Sequence, residues 1–474
     1  MRAASGYSHH VFVRVSRRTA VQGFLLIACV AALPVTRAYA QDTRDVKEPR
    51  IPQSCVTLTA SLRSADGKLA EADEATLDTQ RIQMALDSCA AGKAVELKAA
   101  PGRDAFLSGP LQLRSGVTLL LDGGVTLFAS RNPREYDTRP GACGVISAGG
   151  GGCRPLIGGT RVEGAGVMGD GIIDGRGGET MLGATPSGTT WWQLADRARA
   201  GGTQNNPRIL VLNGCDNFTL YRITLRNSPN FHVSYNGGNG FTVWGVKVYS
   251  PKHARNTDGI DPGNSTNVTI AYSWIDTGDD NVAIKAGAGL PTTHMTIAHN
   301  HFYSGHGMSI GSETNGGASA FRVSDLSIDG ADNGIRIKSN STRGGLVHDV
   351  VYEDVCIRNT KNPIFMDTHY TATVSREQGR LPIFQDITLR NVRIAGEGRL
   401  LLDGLDAEHL LKMTFDNVML DEPASVKTTA SHARVILGPG PVNFRPEGEN
   451  VVVSGNPSAG SPNSCAGKFV PFPR

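Results

Sequence analysis

Short apolar runs rich in β-branched and aromatic residues recur along the centre of the chain, separated by polar turn residues. The first apolar residues of five such runs, Phe218, Phe241, Val268, Met295 and Leu326, follow one another at steps of 23, 27, 27 and 31 residues. Runs of this composition are typical of β-strands. The step is close to the length of one coil of a β-solenoid, in which each coil stacks on the previous one. The pattern predicts an all-β parallel β-helix over residues 106–421.

Other all-β folds also place short strands between turns, and a large β-sandwich or a β-propeller is the alternative. A propeller blade requires about 40 residues, which is longer than the observed step. The chain contains 57 glycines among 474 residues, which indicates frequent turns. The step length therefore favours the solenoid, although it does not exclude a sandwich.

The two ends of the chain lack this rhythm. Residues 41–105 are expected to form an N-terminal segment and cap, with a helix that starts at Thr79 as its N-cap. One face of this helix is apolar and comprises Ile82, Ala85, Leu86 and Cys89. A short amphipathic helix can cover the open end of a solenoid. Residues 422–474 are rich in proline and glycine and predict an irregular C-terminal tail.

Residues 1–40 have the pattern of a secretory signal peptide. Arginines precede an apolar run at residues 24–35, and Ala38-Tyr39-Ala40 offers a cleavage site of small residues. The apolar run is too short to span a bilayer. The pair Arg17-Arg18 leaves export by the twin-arginine route open. We therefore expect a secreted, extracellular protein with no membrane attachment once the leader is removed.

The net charge of the chain comes from this leader. The whole sequence contains 47 Lys and Arg against 44 Asp and Glu. The first 40 residues hold five arginines and no acidic residue, which leaves 42 basic and 44 acidic residues in the remainder. A nearly neutral protein of this kind gives no indication of nucleic-acid binding.

Seven of the eight cysteines lie outside the leader, where export would allow disulfides. Cys143 and Cys153 flank a glycine-rich loop and are expected to pair, and Cys55 and Cys89 are expected to tie the N-terminal cap. The three others are Cys215, Cys356 and Cys465. At least one of them is expected to be free, and the first two to be buried. No pair has the Cys-x-x-Cys spacing of a metal site, so we expect no metal bound by cysteine.

Four polar clusters between residues 256 and 338 carry the candidate chemistry. They are Asn256-Thr257-Asp258, Asp279-Asp280, Gly305-His306-Gly307 and Arg336-Ile337-Lys338. From Asp258 to Asp280, to His306 and to Arg336 the chain advances 22, 26 and 30 residues, about one coil each time. Neighbouring coils lie about 4.8 Å apart, and side chains alternate along a strand. The clusters are therefore expected to line up on one face.

Each cluster taken alone is more typical of a turn or of a solvated surface. Together they bring three carboxylates within about 5 Å of one another, which raises the pKa of at least one of them. A protonated acid beside ionised bases is the arrangement that glycoside hydrolysis requires. The Arg336 fork and the Lys338 charge suit a carboxylate on the substrate. The combination predicts cleavage of an acidic polysaccharide.

The same segments resemble the signature set of the polygalacturonases, glycoside hydrolase family 28, and occur in the order of that family. They read NTDGID at 256–261, GDDN at 278–281, GHG at 305–307 and RIK at 336–338. Further segments resemble bacterial endopolygalacturonases, among them FLSGPLQL at 106–113, GTTWWQLAD at 188–196 and SPNFHV at 228–233. The resemblance covers nearly all of residues 50–420.

The resemblance implies a right-handed parallel β-helix that hydrolyses α-1,4-galacturonosyl links in de-esterified pectin with inversion, as a monomer without metal or cofactor. It implies a role for eight residues. Asp279 would be the general acid, Asp258 and Asp280 would activate water, His306 would tune the protonation of the acid or bind sugar, Arg336 and Lys338 would hold a substrate carboxylate, Asn256 would support the carboxylates by hydrogen bonding, and Tyr370 would contact substrate.

Four alternatives remain open at this stage. An exo-acting polygalacturonase or a rhamnogalacturonan hydrolase would use the same motifs. A Ca²⁺-dependent pectate lyase would use the acids as metal ligands. A non-catalytic solenoid would only bind polyuronate. The one-coil spacing also conflicts with inversion, because inverting enzymes separate their carboxyl groups by about 6.5–9.5 Å.

Overall fold

The computed structural model describes residues 41–184, 186–287, 289–371 and 380–473. Its strands pair in parallel, in register, and stack into a right-handed parallel β-helix, which confirms the predicted all-β fold. The pairings run in three columns, which we call the site sheet, the second sheet and the third sheet. The predicted leader, residues 1–40, lies outside the described residues.

The site sheet carries the predicted polar clusters. Its strands, in stacking order, are Leu111–Gln112, Ile157–Thr160, Leu210–Asn213, Val233–Asn236, Ile260–Gly263, Val282–Ile284, Met308–Gly311, Asn333–Lys338, Asn362–Asp367, Gly398–Asp403 and the first part of Val426–Leu437. Side chains that point inward join the core, and those that point outward form the face described below.

The other two sheets complete each coil. The second sheet contains Ser54–Thr59, Lys93–Lys98, Val117–Leu121, Gly166–Met168, Phe218–Tyr221, Asn239–Trp244, Thr266–Ala271, Thr292–Phe302, Ala318–Asp329, Leu346–Arg358, Ile383–Phe384, Ile387–Ala395, Leu411–Leu420, the end of Val426–Leu437 and Gly448–Ser454. The third sheet contains Ala105–Ser108, Thr126–Ala129, Ile172–Asp174, Thr224–Arg226, Lys247–Tyr249 and Trp274–Asp276. From Thr292–Phe302 onward, the long strands bend and serve both sheets. A separate antiparallel pair joins Ile146–Ser147 to Thr203–Gln204.

The core is a set of apolar ladders, one residue from each coil. Phe218, Phe241, Val268 and Met295 stack in register, as the steps of 23, 27 and 27 residues predicted. The fifth member is Phe321, which pairs with Met295, and not Leu326. The assignment of Leu326 was wrong because the strand Ala318–Asp329 runs through a bend and carries apolar residues in both halves.

Helices are few among the described residues. The α-helices are Thr79–Ser88, Pro133–Tyr136 and Trp191–Arg197, and the 3₁₀ turns are Glu71–Ala75, Ala198–Ala200 and Pro423–Ser425. The first α-helix is the predicted cap helix, and Ile82, Ala85 and Leu86 are buried as expected. Asp78, and not Thr79, precedes its first turn. No helix of the described residues is long and apolar enough to cross a membrane.

Both ends of the solenoid extend further than the sequence predicted. Ser54–Thr59 and Lys93–Lys98 already pair with the second sheet, so coils begin ahead of residue 106. At the other end, two strands continue the stack after residue 422. The segment without strands starts only after Ser454, because alternating apolar residues in the last two strands still reach the core.

The final segment is held against the third sheet. The Tyr303 hydroxyl donates to the Val470 carbonyl at 2.9 Å, and the Phe472 ring lies 5.4 Å from the Tyr303 ring. Cys356 and Cys465 form a disulfide that the sequence did not predict, since pairing them requires the path of the tail. The expected pairs Cys55–Cys89 and Cys143–Cys153 are present. Cys215 is the free and buried cysteine of the described residues.

The disulfide Cys356–Cys465 closes a loop of 109 residues, so its removal should destabilise the tail and the last coils. We expect Cys356→Ser/Cys465→Ser to lower the free energy of unfolding by about 2–4 kcal/mol and to expose residues 455–473 to protease. The control, Cys143→Ser/Cys153→Ser, opens a loop of only 10 residues and should cost less. Equal losses in urea unfolding, or a tail that stays resistant, would contradict this role.

Candidate active site

Five side chains of the site occupy equivalent places in successive coils. Arg208, Phe231, Asp258, Asp280 and His306 each lie two residues ahead of a strand of the site sheet. Because these strands stack in register, the residues ahead of them also stack, about 4.8 Å from coil to coil. The structure therefore brings Asp258, Asp280 and His306 together as the motif spacing predicted.

Arg336 and Lys338 approach the same point from within a strand. They flank Ile337, which is fully buried in the core, so both project onto the outer face as predicted. Arg336 donates to Oδ1 of Asp280 at 3.0 Å, and Lys338 to Oδ2 at 2.8 Å. Ser309 adds a third hydrogen bond, of 2.8 Å, to Oδ1. Two cations and a hydroxyl thus clamp the Asp280 carboxylate.

This clamp decides the ionisation of Asp280. Burial alone would raise the pKa of Asp280, but the charges of Lys338, Arg336 and His306 outweigh it and hold the pKa well below its ordinary value. Asp280 is therefore a carboxylate throughout the working range of pH. Both cations are themselves buried, with 5–6 % of their surface exposed.

Asp279 has a different environment, although it adjoins Asp280 in sequence. Its Oδ1 lies 3.1 Å from Nδ1 of His306, whose Nε2 lies 3.7 Å from Asp332. Burial raises the pKa of Asp279, but the hydrogen bond and charge of His306 outweigh it, so the pKa lies below its ordinary value. The Asp279 side chain is 19 % exposed, against 2 % for Asp280 and 4 % for Asp258. Of these three carboxylates, Asp279 is the most exposed to solvent.

Asp258 belongs to a third environment, which the sequence analysis missed. The Lys285 ammonium lies 3.8 Å from Asp258 and 3.4 Å from Asp261. Burial first, and then repulsion from Asp261, Asp279 and Asp280, raises the pKa of Asp258 well above its ordinary value. Burial likewise raises the pKa of Asp261 to about 7. The expected raised pKa is thus found on Asp258 and Asp261.

A signal for these missed residues was present in the sequence. Asp261 follows the inward Ile260, and Lys285 follows the inward Ile284, so alternation places both on the outer face. Ile284 pairs with Ile310, so the next residue, Lys285, stacks on Gly311. Gly311 in turn pairs with Lys338, which places Lys285 and Lys338 in one column. Only the register of the strands makes this column visible.

Two further predicted residues lie at the edges of the site. Tyr370 accepts a hydrogen bond of 3.2 Å from Arg336, and its ring centre lies 5.2 Å from the guanidinium and 5.3 Å from the Lys338 ammonium. Asn256 was expected to support the carboxylates, but its side chain instead accepts from Gln204 at 2.9 Å. Asn256 has a φ of 56°, so it lies in a turn where strand alternation does not apply.

A cavity of about 710 Å³ lies on the side of the N-terminal coils and is lined by Phe231, which stacks one coil ahead of Asp258. Its lining includes Arg154, Arg208, Arg255, Phe231 and Asn256, together with several asparagines. Among the described residues, three arginines and no acidic side chain line it. The cleft therefore has basic groups on both sides of the carboxylates, with Arg336 and Lys338 on the other side.

Two groups of side chains have the geometry to hold a metal ion. The potential ligand atoms of Asp279, Asp280 and His306 lie within 4.8 Å of one another, as do those of Asp367, His369 and Asp403. In the first group both oxygens of Asp280 already contact cations, which a divalent ion would have to displace. In the second, His369 lies 2.6 Å from Asp403 in a paired contact.

Comparisons with known proteins point to one family. The model of the Glycosyl hydrolases family 28 matches residues 89–435. A polygalacturonase of Ralstonia nicotianae is 39% identical over 95% of this chain and 97% of its own length. An endo-polygalacturonase of Pectobacterium parmentieri is 44% identical over 81% of this chain and 90% of its own. The solved polygalacturonase of Erwinia carotovora ssp. carotovora is 41% identical, with a TM-score of 0.76 over 87% of this chain and 100% of that one.

Acids that flank a cleft on a parallel β-helix, together with these relatives, define a glycoside hydrolase. The chain belongs to the glycosyl hydrolases family 28.

The different environments of Asp279 and Asp280 predict losses of stability that differ in size. Asp280→Asn leaves two buried cations without their counter-charge, and we expect it to lower the free energy of unfolding by about 3–5 kcal/mol at pH 7. Since the folded pKa of Asp280 is depressed, this stabilisation is present above the unfolded value of about 3.9 and is lost as the pH falls through the folded pKa.

Asp279→Asn is the matched control, since this side chain is partly exposed and its Oδ1 contacts His306 and the backbone N–H of Asp280 but neither Arg336 nor Lys338. We expect a much smaller loss, measured by urea unfolding at pH 7. Equal losses in the two variants would contradict the clamp.

Proposed function

We propose that the protein is a secreted endo-polygalacturonase that hydrolyses α-1,4-galacturonosyl linkages in de-esterified pectin. The observation that carries this proposal is the clamp of Arg336 and Lys338 on Asp280, beside the Asp279–His306 pair in an open cleft. The names of the Pectobacterium and Ralstonia relatives support it.

The clamp explains why the substrate is a uronate. Asp280 neutralises only one of the two charges of Arg336 and Lys338, so the trio keeps a net positive charge. Tyr370 lies against both cations and offers a hydroxyl at the rim of the site. A carboxylate on the sugar satisfies the remaining charge, and a neutral polysaccharide would leave it unpaired.

Asp279 acts as the general acid in this mechanism, because of the three carboxylates it is the most exposed to solvent. In the free site His306 stabilises the ionised form of Asp279. Exclusion of water by the substrate favours the neutral carboxyl. Asp279 then donates the proton to the glycosidic oxygen as the bond to the anomeric carbon breaks.

Asp258 and Asp280 act on the water. One of them accepts its proton while its oxygen attacks the anomeric carbon from the face opposite the leaving group. Attack from that face inverts the configuration, so an α-linkage gives a β-product. Asp280 is ionised by its clamp, and the Lys285 ammonium supports ionisation of Asp258. No metal ion is required in any of these steps.

The arginine-lined cavity supports internal cleavage. It offers Arg154, Arg208 and Arg255 to uronates on one side of Asp279, while Arg336 and Lys338 bind on the other side. Uronates bound on both sides of the carboxylates place an internal linkage at Asp279. An exo enzyme would need this cavity closed, and its volume of about 710 Å³ favours the endo mode.

Export of the enzyme fits the other features of the chain. Three disulfides require an oxidising compartment, and residues 1–40 have the pattern of a signal peptide. All groups named in the mechanism come from one chain, so we propose that it acts as a monomer.

Products formed from polygalacturonate test the proposed reaction. We expect a spread of oligomers early in the time course, a β-anomer as the first product in ¹H NMR, and no loss of activity with EDTA. Monomer alone would show exo action, an α-anomer would show retention, and an EDTA-sensitive product that absorbs in the ultraviolet would show a lyase. Binding without new reducing ends would show a non-catalytic solenoid.

Asp279→Asn tests the general acid. We expect kcat on polygalacturonate to fall by about 10²–10⁴-fold while the fold is kept, because proton donation to the leaving oxygen is lost. The control is Asp421→Asn, a carboxylate that pairs with Arg393 in a distant coil. A kcat close to that of the parent in Asp279→Asn would overturn the assignment.

Lys338→Met tests the carboxylate site. We expect KM for polygalacturonate to rise about tenfold or more, since a charge-assisted contact with the uronate is removed. Lys361→Met is the control, because Lys361 is exposed and lies one coil beyond. An unchanged KM in Lys338→Met would count against a uronate contact at this position.

A further inference from the structure

A buried trio beside the catalytic carboxylates consists of Asp258, Asp261 and Lys285. Each of the two carboxylates has only 3 % of its surface exposed. Oδ1 of Asp258 and both oxygens of Asp261 make no hydrogen bond within the described residues. Their nearest cation is the Lys285 ammonium, at 3.8 and 3.4 Å. Buried carboxylates without hydrogen bonds are costly, so the trio needs an explanation beyond packing.

Among the groups around the trio, Lys285 is the main source of positive charge that compensates the Asp258 and Asp261 carboxylates. Arg208 approaches the trio from the preceding coils. Its guanidinium stacks on the Phe231 ring at 4.4 Å and donates a hydrogen bond to Ser234 at 3.3 Å rather than to an acid. His232 contacts the Asp258 carbonyl, and burial lowers its pKa to about 4, so its ring is neutral.

The following coils face the trio with further charges. Asp279 and Asp280 add repulsion to Asp258. Glu313 acts on Lys285, but it is paired with Arg343 at 3.0 Å. Within the trio, therefore, Asp261 opposes and Lys285 favours ionisation of Asp258.

We propose that Asp261 and Lys285 are positioning residues that set the protonation state of the water-activating carboxylate Asp258. This inference rests on the proposed function, because it assigns Asp258 the role of a base. Lys285 lies between two acids and has only one charge to share. Asp261 therefore competes with Asp258 for the Lys285 ammonium and so changes the pKa of Asp258. Neither Asp261 nor Lys285 needs to touch the substrate.

The proposal predicts shifts of opposite sign from two neighbouring residues. Asp261→Asn removes the repulsion between Asp261 and Asp258 and leaves the Lys285 ammonium to Asp258 alone. The pKa of Asp258 should fall, so the acid limb of the kcat/KM profile should move to lower pH by about one unit. Lys285→Met removes the attraction, so the acid limb should move up by at least as much. The double variant should lie between them, and Lys285→Arg should stay near the parent.

The measurement is the pH profile of kcat/KM on polygalacturonate for the full chain. Ionisation of the substrate affects all variants equally, so differences between profiles belong to the protein. The matched controls are Asp122→Asn and Lys98→Met, which break a partly exposed pair with a separation of 3.7 Å far from the site, and neither should shift the profile. If Lys285→Met does not fold, Asp261→Asn and the double variant still determine the direction in which the acid limb of the pH profile shifts.

A trio with only a structural role gives a different result. It predicts that both single variants lose stability or kcat without opposite shifts, and this outcome overturns the proposal. A second readout is independent of turnover: the titration of the Asp258 carboxyl ¹³C signal in the free enzyme, assigned through Asp258→Asn. Its midpoint should move in the same two directions. If the parent does not cleave polygalacturonate, the proposed function fails while this titration still tests the trio.

Discussion

The in-register stacking of coils is the constraint on which the site depends. Parallel pairing places equivalent residues of neighbouring coils about 4.8 Å apart. At that distance side chains of like charge repel strongly when they are buried. Asp258 and Asp280 occupy equivalent places two residues ahead of adjacent strands. The fold therefore concentrates negative charge as a direct result of its geometry, and the neighbouring coils must compensate for it.

Compensation comes from both directions along the stack. Lys285 lies beside Asp258 and Asp261, the charge of Arg208 acts on Asp261 from the preceding coils, and Arg336 and Lys338 bind Asp280. Because each carboxylate meets a different set of neighbours, the pKa values of the group separate. Clamped Asp280 stays ionised, whereas buried Asp258 and Asp261 are pushed towards the neutral form. Aspartate side chains of the same chemistry thus differ in ionisation within one site.

The residues whose positions follow from the stacking register of the coils could be predicted from the sequence. The pKa values that burial sets, and the contacts made by the C-terminal tail, could not. Asp258, Asp280 and His306 were found because their spacing follows the coil length. Phe321 was missed because a bend within one strand puts apolar residues on both sides. The pair Cys356–Cys465 could not be found, since its partners meet only where the tail returns to the third sheet. Which acid holds a proton depends on Lys285, whose distance from Asp258 no spacing argument gives.

The charge balance of the site bears on the proposed role of Asp279 as the acid, because His306 keeps Asp279 ionised in the free protein. Four acids, namely Asp258, Asp261, Asp279 and Asp280, face four bases, namely Arg208, Lys285, Arg336 and Lys338. With all eight ionised, the charges are equal in number. A uronate that binds to Arg336 and Lys338 adds a negative charge to a balanced and poorly hydrated site. Uptake of one proton restores the balance, and linkage requires that the substrate raise the affinity of the site for that proton. Asp279 is the most exposed of the three carboxylates at Asp258, Asp279 and Asp280, so the proposed mechanism places it against the substrate, whose added negative charge raises the affinity of Asp279 for a proton. In the proposed mechanism, the negative charge by which the substrate is recognised therefore also favours the protonated form of the general acid.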